Sequence, residues 1–93
     1  MLIEFDEAKS VRNRELRGIG FERFADMNSG RLVWFEDRRV DYGERRIRVF
    51  GSIDGRLHVA VVTLRSERVR VISLRRANRR EEQVYAAEIF QST

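Results

Sequence analysis

The sequence predicts an α+β fold: an antiparallel four-stranded sheet with two N-terminal helices and one C-terminal helix. Three observations predict it. Apolar and capping residues follow a helical pattern up to about residue 27, the period changes to two from Arg45, and a helical pattern returns after Asn78.

The first helix lies in FDEAKSVRNRELRG, where Asp6 caps the start, an acid occupies the first turn, arginines gather late and Gly18 ends the helix. A second, short helix follows in FERFADM, with Phe21 and Phe24 on one face, and NSG stops it. RLVWF is the first strand and EDRRVDYGE a charged loop. Three further strands run from about Arg45 to Ile53, Arg56 to Leu64 and Arg68 to Leu74. Asp54-Gly55 between the first two is a strong hairpin signal. It sets Ile53 opposite Arg56, Phe50 opposite Val59, Arg48 opposite Val61 and Arg46 opposite Thr63. A turn at RSER then sets Leu64 against Val69, Thr63 against Arg70 and Val61 against Ile72.

This register separates two surfaces. Ile47, Val49, Ala60, Val62, Leu64, Val69 and Val71 form a core face. On the other side Phe50, Val59, Ile72 and Leu74 lie toward one end and Arg46, Arg48, Thr63 and Arg70 toward the other. Neighbouring arginines repel unless solvent or an anion separates them. That half-face is either a solvated sheet surface or a lining for phosphates.

Composition narrows the function. Ninety-three residues are expected to form one domain over 1–93, and 42% apolar with 37% charged residues describes a folded chain. There is no cysteine, which removes disulfides, thiol chemistry and cysteine-zinc sites. HVAVVTL is too short to span a bilayer, and MLIEFDEAK lacks the pattern of a signal peptide, so a cytoplasmic protein with no membrane contact is expected. Of 19 basic residues only Lys9 is a lysine, which leaves 18 arginines against 15 acids and a net charge of +4. Arginine grips two phosphate or carboxylate oxygens at once and stacks on bases. A GC-rich genome also enriches arginine, so the charge raises nucleic acid as a partner without establishing it.

RRANRR, from Arg75 to Arg80, joins the last strand to the last helix. Asn78 and Glu81 have capping-box spacing, so the helix starts at Asn78 and runs to about Phe90. Arg79 and Arg80 in its first turn oppose the helix dipole, and a phosphate there would resolve the conflict. The alternative is that Arg75 and Arg76 pair with Glu44 or Glu82 and the rest face water. His58, the sole histidine, falls on the core side near Gly51 and reads as structural; a lone histidine forms no metal cluster. Trp34 beside Phe35 reads as core, and Glu36, Asp37, Asp41 and Glu44 lack metal-ligand spacing. Neither a metal nor a cofactor is expected.

Three segments, FDEAKSVRNRELRGIGF, GERRIRVFGSIDGRLHVAVVTLR and RVRVISLRRANRREEQVY, together resemble the BrnT family of toxins from type II toxin-antitoxin systems, from about Ile3 to Glu88. The family's opening aromatic, acid, lysine and asparagine fall on Phe5, Asp6, Lys9 and Asn13. Its later serine, arginine, alanine, arginine and glutamate fall on Ser73, Arg75, Ala77, Arg79 and Glu81. The chain departs where it reads Leu16, Arg17 and Gly18 in place of the usual lysine, histidine and glycine, and where DMNSG replaces an acidic stretch. The resemblance implies a RelE-like fold and a ribonuclease that arrests translation. It also implies a BrnA-type ribbon-helix-helix antitoxin that covers the toxin and through which alone the pair touches DNA.

Metal-free RNA cleavage needs a base for the 2′-hydroxyl, cations for the charge on phosphorus and an acid for the 5′-oxygen. Arg70, Arg75 and Arg79 are the candidates for holding the scissile phosphate, with Glu81 or Asp41 as the less poor choices of base. Lys9, Arg46, Arg48, Thr63, Arg65, Arg76 and Arg80 are the candidate RNA contacts. An acidic antitoxin segment is expected to cover the same surface and to bury Trp34 or Phe50. The rival is a non-catalytic basic module that binds nucleic acid or an acidic protein.

Overall fold

The computed structural model describes residues 2–27, 32–39, 41 and 43–91. Strand β1 (Leu2–Phe5) leads into helix α1 (Glu7–Arg17) and a 3-10 helix (Phe21–Asp26); β2 (Val33–Asp37), β3 (Arg46–Ile53), β4 (Arg56–Arg65) and β5 (Arg68–Arg76) follow, and α2 (Arg79–Gln91) ends the order. The five strands form one sheet ordered β1-β5-β4-β3-β2.

The hairpin registers follow the turns. Asp54 and Gly55 both have positive φ, as a tight two-residue turn requires, and Ile53 pairs with Arg56, Phe50 with Val59 and Arg48 with Val61. Ser66 at φ 54 turns β4 into β5, and Leu64 meets Val69 and Thr63 meets Arg70.

Four expectations are corrected. The sheet has five strands and is mixed, because LIEF forms β1 and pairs in parallel with β5, Ile3 with Val69 and Phe5 with Val71. Only one of the two N-terminal helices is α-helical, the second being a single 3-10 segment. Glu36 and Asp37 belong to β2 rather than to a loop. Finally, Val61 pairs with Ser73 and not with Ile72, since the register shifts at Val61/Val62 and leaves Ile72 as the extra residue of a β-bulge. The bulge moves Leu74 to the core face opposite Ala60 and sends Arg75 to the other face opposite Val59. The expected stop at Asn28–Gly30 and the expected first residue of the second strand, Arg31, lie outside the described residues.

The core fills the face bearing Ile47, Val49, Ala60, Val62, Val71 and Leu74, with Ile19, Phe21 and Met27 packed onto it and Phe5, Phe24 and Val69 at its margin. Phe5 and Phe21 meet edge to face. Helix α1 is capped as its sequence indicates: the Asp6 side chain accepts from the Lys9 amide at 3.0 Å, and Gly18 closes the helix at φ 77 with its amide donating to the Arg14 carbonyl. Its apolar residues Val11 and Leu16 are exposed, and polar groups dock it instead. The fully buried Ser10 Oγ accepts from the Phe21 amide at 2.8 Å, and Asn13 Nδ2 donates to the carbonyls of Ile19 and Leu74 at 2.8 and 2.7 Å. These bonds fasten α1 both to the 3-10 helix and to β5.

Candidate nucleic-acid interface

The face opposite the core is built in rows by the strand register. Asp37 on β2 pairs with Arg46 on β3, Thr63 on β4 pairs with Arg70 on β5, and Arg70 pairs with Glu4 on β1. The expected convergence of Arg46, Thr63 and Arg70 is therefore present, and acids flank it at both sheet edges. Arg46 and Arg65 approach Glu44 at 3.8 and 3.5 Å, and Arg68 and Arg70 approach Glu4 at 3.7 and 4.0 Å. The Thr63 hydroxyl donates to the Arg45 carbonyl at 2.8 Å. Partly exposed pairs this loose contribute about 0 to 1 kcal/mol each, so these carboxylates hold the arginines only weakly.

The RRANRR junction does not act as a block. Arg75 turns to the arginine face, where Nη1 and Nη2 donate to Glu81 Oε1 and Oε2 at 2.7 and 2.8 Å. The capping box is reciprocal: the Glu81 amide donates to Asn78 Oδ1 at 2.8 Å and the Asn78 amide to Glu81 Oε1 at 2.9 Å. The Arg75 guanidinium, more than opposing burial, holds the Glu81 carboxyl below its ordinary range. Glu81 is thus a clamp whose two oxygens are already engaged. Arg76 leaves on the core side opposite His58, because it follows Arg75 along the strand. Arg79 is exposed at the first position of α2, and Arg80 lines a cleft described next. Lys9 is exposed on α1, which Asn13 fastens to the carbonyls of Ile19 and Leu74, and it does not line that cleft. Asp41 does not line that cleft; its Oδ1 accepts from the Gly43 amide at 3.0 Å.

Between β2, β3 and the start of α2 lies a cleft of about 440 Å³, walled by Phe35, Phe50 and Val84 and floored by Arg39, Arg48, Arg80 and Glu81. Register explains the floor, since Phe35 pairs with Arg48 and Val33 with Phe50. Phe35 and Phe50 meet edge to face at 5.7 Å. Arg39 is engaged by the buried Asp37, Nε and Nη2 each donating at 2.8 Å, and this pair lowers the Asp37 pKa from 3.8 to about 2. Arg48 differs. Its Nε is buried without a hydrogen-bond partner, and no carboxylate lies within ion-pair distance of Arg48 or Arg80 among the described residues. A buried donor left unpaired costs about 1 to 3 kcal/mol, which an anionic oxygen would recover.

Two aromatic assignments change. Trp34 is 64% exposed on edge strand β2, on the core side opposite Val49, and Phe50 is already buried by the sheet's own side chains. Neither waits for a partner on the arginine face. Arg39 and Phe35 are parts of the cleft that the sequence did not point to. Their signal is the alternation Phe35, Asp37, which places both on the side of Arg46 and Arg48 once β2 is paired.

Residues 5–81 match the family model of the ribonuclease toxin BrnT of type II toxin-antitoxin systems. The chain belongs to this family. No curated protein matches it. The span of the BrnT match runs from Phe5 in β1 to Glu81, so it contains both ends of the Arg75–Glu81 clamp and the whole sheet beyond Phe5. As a type II toxin of ribonuclease class, a BrnT protein has RNA as its substrate class and an antitoxin as its partner class. Arg17 closes α1 on the core side and lines a different cleft from Arg48. Among the described residues no group of three or more His, Asp or Glu side chains is placed to hold a metal, and no helix is long and apolar enough to cross a membrane.

Proposed function

We propose that this BrnT chain is a metal-independent endoribonuclease that arrests translation in the cytoplasm and is held in check by a BrnA-type ribbon-helix-helix antitoxin. Its support is the buried Nε of Arg48, which among the described residues has no hydrogen-bond partner, in a cleft that also presents Arg80, which has no ion pair among them. A phosphodiester oxygen satisfies Arg48, Arg80 adds charge, and the half-buried ring of Phe35 accepts a base. Arg70 and Arg79 extend the basic track on either side, while Arg75 and Glu81 hold the start of α2 over the cleft.

Cleavage transfers the 2′-hydroxyl proton to a base as the 2′-oxygen attacks phosphorus, and the 5′-oxygen leaves with a proton from an acid. Charge accumulating on the phosphoryl oxygens is met by guanidinium groups already fixed in place. Among the described residues that line the cleft Glu81 is the one carboxylate, and both its oxygens are bound, so rate enhancement comes from positioning and charge stabilisation. That same observation favours the second reading, a module that binds RNA without turnover. Wild type and an Arg48→Met, Arg80→Ala variant incubated with RNA in EDTA decide between them. Cleavage by wild type alone supports the nuclease, and equal cleavage by both, or binding with none, removes it.

A further inference from the structure

On the core side, where α1, the β3–β4 turn and the end of β5 meet, lies a second cleft of about 270 Å³ lined by Arg17, Arg23, Asp54, Arg56, His58 and Arg76. It is distinct from the Arg48 cleft, since Arg76 and His58 form a cross-strand pair on the opposite face from Arg75 and Val59. Its one carboxylate is taken: Asp54 accepts from Arg23 Nη2 at 2.9 Å, and Arg23 Nε is bound to Asp26 at 2.7 Å. Arg17, Arg56 and Arg76, brought from three different elements, have no ion-pair partner among the described residues. Three like charges converging on a recess repel one another unless an anion sits between them.

His58 gives the recess its chemistry. The residue is 6% exposed, and its ring Nδ1 lies 2.8 Å from the Arg56 carbonyl. A carbonyl only accepts, so Nδ1 carries the hydrogen and Nε2 of the neutral ring is a bare acceptor. No other hydrogen bond of this ring is present among the described residues. A hydroxyl acceptor beside three free guanidinium groups matches a ribose with its 2′-hydroxyl next to a phosphate.

We infer that the cleft of Arg17, Arg56, His58 and Arg76 is a second RNA-binding site, which takes one ribose-phosphate unit of a single strand on the face opposite the Arg48 cleft. It goes beyond the nuclease reading and relies on it only for the source of the ligand. The site holds RNA and carries out no reaction.

His58 is the only histidine, so its imidazole proton signals report on this cleft alone. The test titrates wild type with cytidine 3′-monophosphate, its 2′-deoxy counterpart and inorganic phosphate, none of which can be cleaved. The ribonucleotide should shift the His58 signals saturably, and the deoxynucleotide and phosphate should bind more weakly. An Arg56→Ala, Arg76→Ala variant should lose about tenfold or more in affinity, whereas Arg48→Met should leave the response unchanged. Because the variant removes only exposed side chains, its fold is checked by the dispersion of its other signals. Unmoved His58 signals, or an equal response from the double variant, overturn the site. Equal binding of all three ligands overturns its assignment to RNA. A His58 response from a protein that cleaves no RNA would leave this site standing and the nuclease reading fallen.

Discussion

Arg75 and Glu81 face each other across the junction of β5 and α2 with two parallel hydrogen bonds, at 2.7 and 2.8 Å, and Glu81 at once caps its own helix through the Asn78 amide. A single carboxylate therefore fixes both the start of α2 and its seat on the sheet. Burial of α2 elsewhere is slight, with no residue of the helix fully buried.

Glu81→Ala should accordingly cost on the order of 2 to 4 kcal/mol, as a lost cap and a partly buried charge deprived of its partner. Its neighbour Glu82, exposed in the same turn, should cost less than about 0.5 kcal/mol on replacement by alanine. Urea unfolding of the two variants measures the difference. Equal values would mean that α2 is held by something other than this clamp.

Acid should weaken the fold with a defined sign. The Arg39 guanidinium holds the buried Asp37 carboxyl at about 2 against an ordinary 3.8, and Arg75 lowers Glu81 in the same way. The unfolded chain therefore binds these protons first as pH falls. The stabilisation is complete above about pH 5 and drains away as pH drops through 4 toward 2. Denaturation midpoints across that range check it, and Asp37→Asn should flatten the profile.

Arg48→Met should separate stability from binding. The substitution removes a buried donor without a partner and keeps an apolar stem between Phe35 and Val61, so the unfolding free energy should hold or rise by about 1 kcal/mol. RNA affinity should fall together with the salt dependence of binding. A large loss of stability would show that Arg48 serves the fold rather than a ligand.

Asn13 offers the sharpest contrast between two small changes. Its Nδ2 supplies hydrogens to two carbonyls, those of Ile19 and Leu74. Asn13→Ala should cost about 2 kcal/mol, and Asn13→Asp should cost more, because a carboxylate would confront two carbonyl oxygens that can only accept. Thermal unfolding of the pair ranks them, and the reverse order would refute this docking of α1.

Local signals carried far in this chain. Asp54-Gly55 fixed seven cross-strand pairs, and Asp6, Gly18, Asn78 and Glu81 marked helix ends that the structure keeps. What escaped was non-local. Strand β1 has four residues and no turn of its own, and its partner lies more than sixty positions away. The bulge carries neither glycine nor proline; its trace is the core spacing of two from Val69 to Val71 and then three to Leu74. Missing that step left Leu74 on the polar side and hid the parting of Arg75 from Arg76. Which arginines are free depends on where every carboxylate ends up, so Arg48 could be placed on a face from its register but not recognised as unpaired.

The first strand of this sheet finds its neighbour in the last one. As the polypeptide leaves the ribosome, Leu2 to Phe5 must wait for Arg68 to Val71 before that edge can close. Glu4 meets Arg70 only at that moment, and Asn13 has no Leu74 carbonyl to grasp until β5 has been made. Synthesis thus leaves the arginine face unassembled until β5 has been made, and a fragment that stops before it lacks that face.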